Sequence, residues 1–493
     1  MNLSPEENLT RKIEILKDRV KEDQSLDFIK IEQAIEFGKS AHRNQKRKTG
    51  GPYYIHPVRM AIKALEYKLD TDSIIACLLH DVLEDTECKG RDIGKKFGKK
   101  VTKMVKALTK VSDSKRSTRD NKVLTLQKLI KERSVDFRVV VIKLIDRLDN
   151  LSDIQAFPRF KQRSICEETF LVFVQIAQDL GLNGIEREYR NLLFRWLYPK
   201  RYQQYVKKLE TLRSDRPLIT KEILKDVKKA ISPNLLVSCS LQSVEPGSFL
   251  LEKKEVFRFI ENITIETKEP LDCYQVLGQL HSHFHSIPRT IRDYISNPKA
   301  NGWRGLTTVI IINGEEVTLH IVTREFHRRN QYGVAALINE GIYRSQDYRQ
   351  CLRLLSEVAA DKSIRMEEVF RYRKTESIQV FTPQGMPVEL QKGATIADFA
   401  FAVHSELGIQ CSGGLSNHVR YPRETKIWEG MIIEAVTSES VKPNRSWTSD
   451  GTVTMPKSRR EVLKYCNNPE AYMKALERQR KKKRRRKNES PKS

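Results

Sequence analysis

The spacing of apolar residues changes along this chain, and those changes set what it can fold into. From about Ile29 to Tyr198 apolar side chains recur three and four residues apart. Examples are Ala34-Ile35-Phe37, Ile74-Ile75-Cys77-Leu78-Leu79 and Val139-Val140-Val141-Ile142-Leu144-Ile145. Glycine and proline fall between these segments, as in Gly50-Gly51-Pro52, and the pattern predicts an all-helical domain of roughly ten helices. From about 255 to 345 the pattern alternates instead. Thr307–Ile312 and Val317–Val322 are β-branched runs on either side of Asn313-Gly314, a strong hairpin signal, so this region is expected to be mixed α/β. A third unit begins near Ser377. Ile378–Thr382 and Val388–Leu390 read as strands around a Pro383-Gln384-Gly385 turn, Thr395–Asp398 opens a helix with a capping-box-like pair, and short strands follow between Trp428 and Thr437.

At 493 residues the chain exceeds one ordinary core, and several domains are expected. The expected division is an N-terminal extension (1–28), a helical domain (29–200), an α/β domain (201–360), a small β domain (376–438), and a C-terminal segment (439–493). That last segment is polar, with one helical patch at Ser458–Asn467 ahead of a basic tail. The eight cysteines are scattered with no CxxC pair, which predicts reduced thiols in a cytoplasmic protein and argues against a structural zinc site. No apolar run is long enough for a membrane helix, and no membrane partner is expected. The N-terminus has acidic residues and no apolar stretch of a secretory signal. The net charge is +26, and Arg478–Lys487 carries nine basic residues in ten. Such a tail is solvated and disordered when unbound, and it suits phosphate-backbone contacts. The rest of the chain stays basic as well, which points to an anionic partner.

The densest chemistry lies in Leu78-Leu79-His80-Asp81-Val82-Leu83-Glu84-Asp85-Thr86. On one helix, Glu84 would lie below His80 and Asp85 below Asp81. A divalent cation is the natural neutraliser of such a cluster, and mixed imidazole and carboxylate donors suit Mn, Fe, Zn or Co better than Ca. Alone, a His-Asp pair is more often structural. Two further segments change that balance: Tyr54-Ile55-His56-Pro57 starts a helix, and Lys143-Leu144-Ile145-Asp146 places an acid at the end of a very apolar one.

His, His-Asp and Asp on three helices of one bundle resemble the HD phosphohydrolase superfamily, which implies His56, His80, Asp81 and Asp146 as metal ligands. The resemblance narrows to the RelA/SpoT homologue family of (p)ppGpp enzymes. It is carried by Gln45-Lys46-Arg47-Lys48-Thr49-Gly50-Gly51-Pro52-Tyr53-Tyr54-Ile55-His56, by HDVLEDT, by Arg138–Asn150, by Glu167-Glu168-Thr169 and by Leu180–Ile185. It implies a Mn²⁺-dependent hydrolase that releases pyrophosphate from the 3′ position of (p)ppGpp, leaving GDP or GTP. Glu84 and Asp85 would then handle protons, and Arg47, Lys48 and Asn150 would contact the substrate. Asp149 and Asp153 depart from the family's form of their segment, which has histidine and commonly threonine there.

Asp293-Tyr294-Ile295, Pro298-Lys299 and Asn301-Gly302-Trp303 resemble the family's synthetase signature, and Gln331–Ala336 resembles a second synthetase segment. The acidic strand E-x-Q-x-R-T of family synthetases is here Thr318-Leu319-His320-Ile321-Val322-Thr323, without carboxylate or arginine. Pyrophosphoryl transfer needs acids for Mg²⁺ and cations for phosphates. A degenerate nucleotidyltransferase-like domain with no synthesis is therefore expected. Ser377–Thr437 resembles a TGS domain, a β-grasp module, whose His404 position approaches tRNA in ribosome-bound relatives. A structural role for His404 at a helix end stands equally open. The class expected is thus an HD hydrolase with a degenerate synthetase domain and a TGS domain. Two alternatives remain: a ribosome- or tRNA-associated regulator that binds alarmone without turnover, and a hydrolase of another nucleotide.

Overall fold

The computed structural model describes residues 4–47, 50–109, 136–215, 217–242, 245–250, 261–299, 301–339 and 377–477. They fall in two compact units, Met1–Ile364 and Arg365–Ser493.

The first unit opens with helices α1 (Pro5–Glu22), α2 (Phe28–Ala41), α3 (Ile55–Glu66), α4 (Thr71–Leu79), α5 (Val82–Asp85), α6 (Gly90–Leu108) and α7 (Phe137–Ser152). Then come α8 (Arg159–Glu168), a π-helical turn (Thr169–Phe173) running into α9 (Val174–Asp179), and α10 (Asn183–Leu197). Every residue of α4 from Ser73 to Leu79 is buried. A helix that is apolar all round belongs inside a bundle, and α4 packs against α2, α3, α6 and α7. Its start is fixed by Asp70, whose carboxylate accepts from the Ser73 amide, and the start of α7 is capped by Asp136 in the same way. Arg138 joins the two caps, 2.6 Å from Asp70 and 2.5 Å from Asp136. One guanidinium thus sets the register between α4 and α7.

The unit continues through α11 (Pro199–Asp215) and α12 (Pro217–Lys229) into an α/β domain. Its strands are β1 (Ser238–Gln242), β2 (Glu261–Thr267), β3 (His285–Ser286), β4 (Arg292–Asp293), β5 (Leu306–Ile312) and β6 (Glu315–Thr323), with α13 (Pro270–His283) between β2 and β3. The sheet order is β1-β2-β6-β5-β3, with β4 also on β5; β2 and β6 run parallel and the other pairs antiparallel. Asn313 and Gly314 have φ of 52° and 80°, the left-handed pair that the β5–β6 hairpin turn requires. Helices α14 (Arg324–Tyr332) and α15 (Val334–Asn339) return the chain to the helical bundle. There the Val334 amide donates to the Leu180 carbonyl (3.0 Å) and the Asn183 amide side chain to the Asn330 carbonyl (2.6 Å). A side chain at Gly333 would collide with the Leu180 carbonyl oxygen, so only glycine allows this approach.

The second unit holds a β7–β8 hairpin (Ser377–Phe381, Pro387–Gln391) and a sheet ordered β10-β9-β11 (Val419–Pro422, Cys411–Ser416, Glu434–Thr437). Helices α16 (Ile396–Val403), α17 (Ser405–Ile409) and α18 (Pro456–Asn467) complete it. The Thr395/Asp398 capping box is present. Asp398 is only 1% exposed and also accepts from the Thr454 amide (3.0 Å), the Thr454 hydroxyl (2.7 Å) and the Met455 amide (3.1 Å). The polar segment beyond Ser440 is thus an integral part of this unit and not a lone helical patch. Trp447, Val453 and Val462 pack with Ala397, Phe401 and Ile409 in a core of their own. A few large residues in a polar stretch suffice, because Asp398 supplies the partners that its backbone needs. The basic run Arg478–Lys487 lies outside the described residues. The seven described cysteines are free. Among the described residues no helix is long and apolar enough to cross a membrane.

Asp398→Ala removes the acceptor of five donors, from Thr395, Thr454 and Met455, and is expected to destabilise this unit by about 3 kcal/mol. Hydrogen exchange at the Trp447 and Val453 amides should accelerate in the variant; wild-type protection there would contradict the role given to Asp398.

Candidate metal centre

Three helices of the bundle bring four side chains together. His56 sits in the first turn of α3, and His80 follows the last residue of α4 with Asp81 next to it. Asp146 lies past the middle of α7, not at its end as the sequence suggests, because the helix runs six residues further. All four are nearly fully buried. His56 Nε2 lies 3.3 Å from Asp146 Oδ1 and 4.0 Å from Asp81 Oδ2, and His80 Nε2 lies 2.9 Å from Asp81 Oδ2. Ligand atoms of His56, His80 and Asp146 all fall within 4.8 Å of one another.

Both imidazoles are held by their other nitrogen. His80 Nδ1 donates to the Cys77 carbonyl (2.8 Å), and His56 Nδ1 to Asp149 Oδ2 (2.6 Å). Each ring therefore turns Nε2 toward the carboxylates, the orientation a metal-bound histidine adopts. Despite its closeness to Asp81, His80 Nε2 makes no hydrogen bond and is buried. A buried nitrogen 2.9 Å from a carboxylate without hydrogen-bond geometry suits two donors that share a cation. Burial opposes a charge on His56, but its hydrogen bonds with Asp146 and Asp149 outweigh that and push its pKa up to about 9. Burial likewise works against ionised Asp81 and Asp146. The neighbouring imidazoles, with Lys143 beside Asp146, nonetheless hold both well below the usual carboxylate range. A positive charge is what this pocket asks for, and its donor set fits a divalent transition metal.

The other sequence-predicted residues lie around this pocket, and Asp85 follows Asp81 by one helical turn. The chain turns at His80-Asp81 and restarts as α5, with the Asp81 carbonyl accepting from the Glu84 and Asp85 amides (3.0 and 2.9 Å). His80 and Asp81 keep right-handed helical dihedrals through this turn, and both side chains are buried. Asp85 is exposed at the rim, Glu84 is half-buried, and the Tyr53 hydroxyl bridges Asp81 and Asp85. Burial, and then the charge of Asp81, raise the Tyr53 pKa, so the phenol remains a donor. Sequence reasoning passed over Tyr53, although it lies three residues before His56 in the same motif. The Asn150 side-chain amide, one turn after Asp146, donates to it (2.6 Å), and Arg47 donates to the Asn150 side-chain oxygen Oδ1 (3.5 Å). Arg47 also pairs with Asp153 (2.9 Å). Lys48 lies outside the described residues.

The β-sheet face of the second domain is differently equipped. Along β6, Thr318 and His320 alternate with buried Val317, Leu319 and Ile321. The Asp293 carboxylate is engaged by the Tyr274 hydroxyl (2.9 Å) and by the amides of Ile295 and Ser296. His320 meets the edge of Trp303, which lies beneath Lys299. In the second unit, His404 is exposed and its Nδ1 caps α17 by accepting from the Glu406 amide (3.3 Å).

A helical bundle holding a His/His-Asp/Asp pocket, joined to a mixed-sheet domain, is the architecture of an HD domain followed by a RelA/SpoT-type α/β domain. Family profiles match in the same order: an HD domain over residues 34–183, a region found in RelA/SpoT proteins over 252–348, and a TGS domain over 378–437. The chain belongs to the RelA/SpoT family. It is 31% identical over 474 residues to the bifunctional (p)ppGpp synthase/hydrolase SpoT of Escherichia coli, an alignment covering 92% of this chain and 67% of that protein. It is 34% identical over 438 residues to a guanosine-3′,5′-bis(diphosphate) 3′-pyrophosphohydrolase of Aquifex aeolicus, covering 85% and 62%. A GTP pyrophosphokinase of Streptomyces coelicolor is 31% identical over 471 residues, covering 88% and 55%. The chain therefore spans roughly two thirds or less of the length of these relatives.

The β6 face yields a pH expectation. Burial, and then the charge of Lys299, lower the His320 pKa from the usual 6.5 to about 4. Below about pH 6.5 the unfolded chain takes up a proton that the folded domain refuses, so stability is lost as pH falls from about 6.5 to about 4. His320→Gln should show a smaller drop in melting temperature between pH 7 and pH 5 than wild type, measured by differential scanning fluorimetry; an equal drop would contradict a neutral, half-buried imidazole.

Proposed function

We propose that this chain is a metal-dependent guanosine-3′,5′-bis(diphosphate) 3′-pyrophosphohydrolase. It adds water across the bond between the nucleoside 3′-oxygen and the pyrophosphate, giving pyrophosphate and GDP or GTP. One observation carries the reading. The buried, unpartnered His80 Nε2 faces Asp81 in a pocket shared with His56 and Asp146, inside an HD domain whose relatives include proteins named for that reaction.

His56, His80, Asp81 and Asp146 are the proposed ligands, and Mn²⁺ suits their mixed nitrogen and oxygen donors. When bound, such an ion makes water nucleophilic near neutral pH and offsets charge on the phosphates. Around it, Tyr53 steadies Asp81 by hydrogen bonding. Asp85, which shares the same phenol at the exposed rim, and Glu84 beside it are the proposed proton carriers between the pocket and solvent. Arg47 and Asn150, linked to each other above Asp146, present a guanidinium and an amide to the nucleotide, with Lys48 next in sequence.

The second domain is proposed to have lost synthesis. Thr318 and Val322 stand where family synthetases have an acid and an arginine, and Asp293 is engaged by Tyr274 and its own turn. The TGS domain and the basic C-terminal run are proposed to contact ribosome or tRNA, in a cytoplasmic setting. The TGS match and the exposure of His404 support this, and they also support the second reading, a regulator that holds the alarmone without turnover.

Purified protein with Mn²⁺ should release pyrophosphate from ppGpp. Asp81→Ala should lower kcat by 10²-fold or more, on the order expected when a metal ligand is lost. Uncleaved ppGpp with wild type would sink the hydrolase reading and favour the regulator. In a parallel assay, ATP with GTP should give no pppGpp; a clear product would overturn the loss of synthesis.

A further inference from the structure

The two residues that depart from the family's form of the α7 segment, Asp149 and Asp153, meet in one chain of contacts. His56 Nδ1 donates to Asp149 Oδ2 at 2.6 Å. Arg59, one turn after His56 on α3, reaches both oxygens of Asp149, at 2.7 and 2.9 Å, and Asp153 Oδ2 at 2.6 Å. Asp153 in turn pairs with Arg47 at 2.9 Å, while Arg47 stands 3.9 Å from Asp149. Both aspartates sit on the α7 side and both arginines on the other, so the charges alternate. The Asp149 side chain is only 11% exposed, and an unpaired carboxylate there would be strongly disfavoured. Its partners are therefore essential to its position, and it is essential to theirs. The carboxylate–imidazole pairing is the one that, next to a metal, fixes ring orientation and raises ligand basicity. A histidine at 149 could not hold His56 and Arg59 together with one negative charge.

Resting on the metal-centre reading above, we propose that Asp149 is a positioning residue that aims His56 Nε2 into the ligand pocket. We further propose that Arg59 and Asp153 couple it to the substrate-facing Arg47. Metal affinity then depends on Asp149, and nucleotide affinity on Asp153.

Metal-stripped full-length protein titrated calorimetrically with Mn²⁺ alone tests the first part. Asp149→Asn keeps the shape but loses the charge, and it should weaken Mn²⁺ binding about 10- to 100-fold, the usual effect of losing such a partner. Arg59→Met, which leaves Asp149 in place but unanchored, serves as a second variant and should weaken binding about three- to tenfold, less than the loss of the partner itself. Asp153→Asn should hold Mn²⁺ within about twofold of wild type yet raise KM for ppGpp about three- to tenfold, with kcat little changed, because the charge-assisted pair orienting Arg47 is gone. Melting curves confirm that each variant is folded. Wild-type Mn²⁺ affinity in folded Asp149→Asn and Arg59→Met would overturn the positioning role. An Asp153→Asn variant that changes kcat and leaves KM alone would overturn the coupling. If the wild type itself binds no Mn²⁺, the metal-centre reading fails and the positioning role with it.

Discussion

The molecule depends on the way two imidazoles are held from behind. His80 donates to the Cys77 carbonyl and His56 to Asp149, and these two bonds leave both Nε2 atoms facing the carboxylates of Asp81 and Asp146. The pocket gathers buried nitrogen and carboxylate donors at close range, and a bound cation would make the same atoms ligands. The bundle is arranged to keep that geometry. The all-apolar α4 delivers His80 at its end, and Arg138 ties the start of α4 to the start of α7, which carries Asp146.

Chemistry and entry to the site are graded by depth. The four proposed ligands are buried, Tyr53 and Arg47 are partly covered, and Asp85 and Asn150 are exposed. The bundle is joined to the α/β domain by main-chain contacts at Leu180, Gly333 and Val334, with no room for a side chain. Such a joint suits the proposed role of the second domain as support for the bundle.

Much of this was legible in the sequence. Apolar period gave the helical and mixed domains, and Asn313-Gly314 gave the hairpin, because these signals act over a few residues. The four proposed ligands were legible because each lies in a short motif. What could not be read were pairings across long separations. Asp149 and Asp153 look like losses along the sequence, yet in space they meet His56, Arg59 and Arg47, some ninety to a hundred residues earlier. Helical spacing through LLHDVLEDT placed Asp85 one turn after Asp81, but not the Tyr53 hydroxyl that bridges them. The polar segment after Ser440 concealed a small core because its burial depends on Asp398, far back in α16.

The central claim is that these four residues form a single cation site, and the most direct test is to see the ion. Crystals of the full chain grown with Mn²⁺ and measured at the manganese absorption edge should show one strong anomalous peak. It should lie within coordination distance of His56 Nε2, His80 Nε2 and the Asp81 and Asp146 carboxylates. A map with no peak there, or with its strongest peak elsewhere while His80 Nε2 bonds only to protein, would contradict the account.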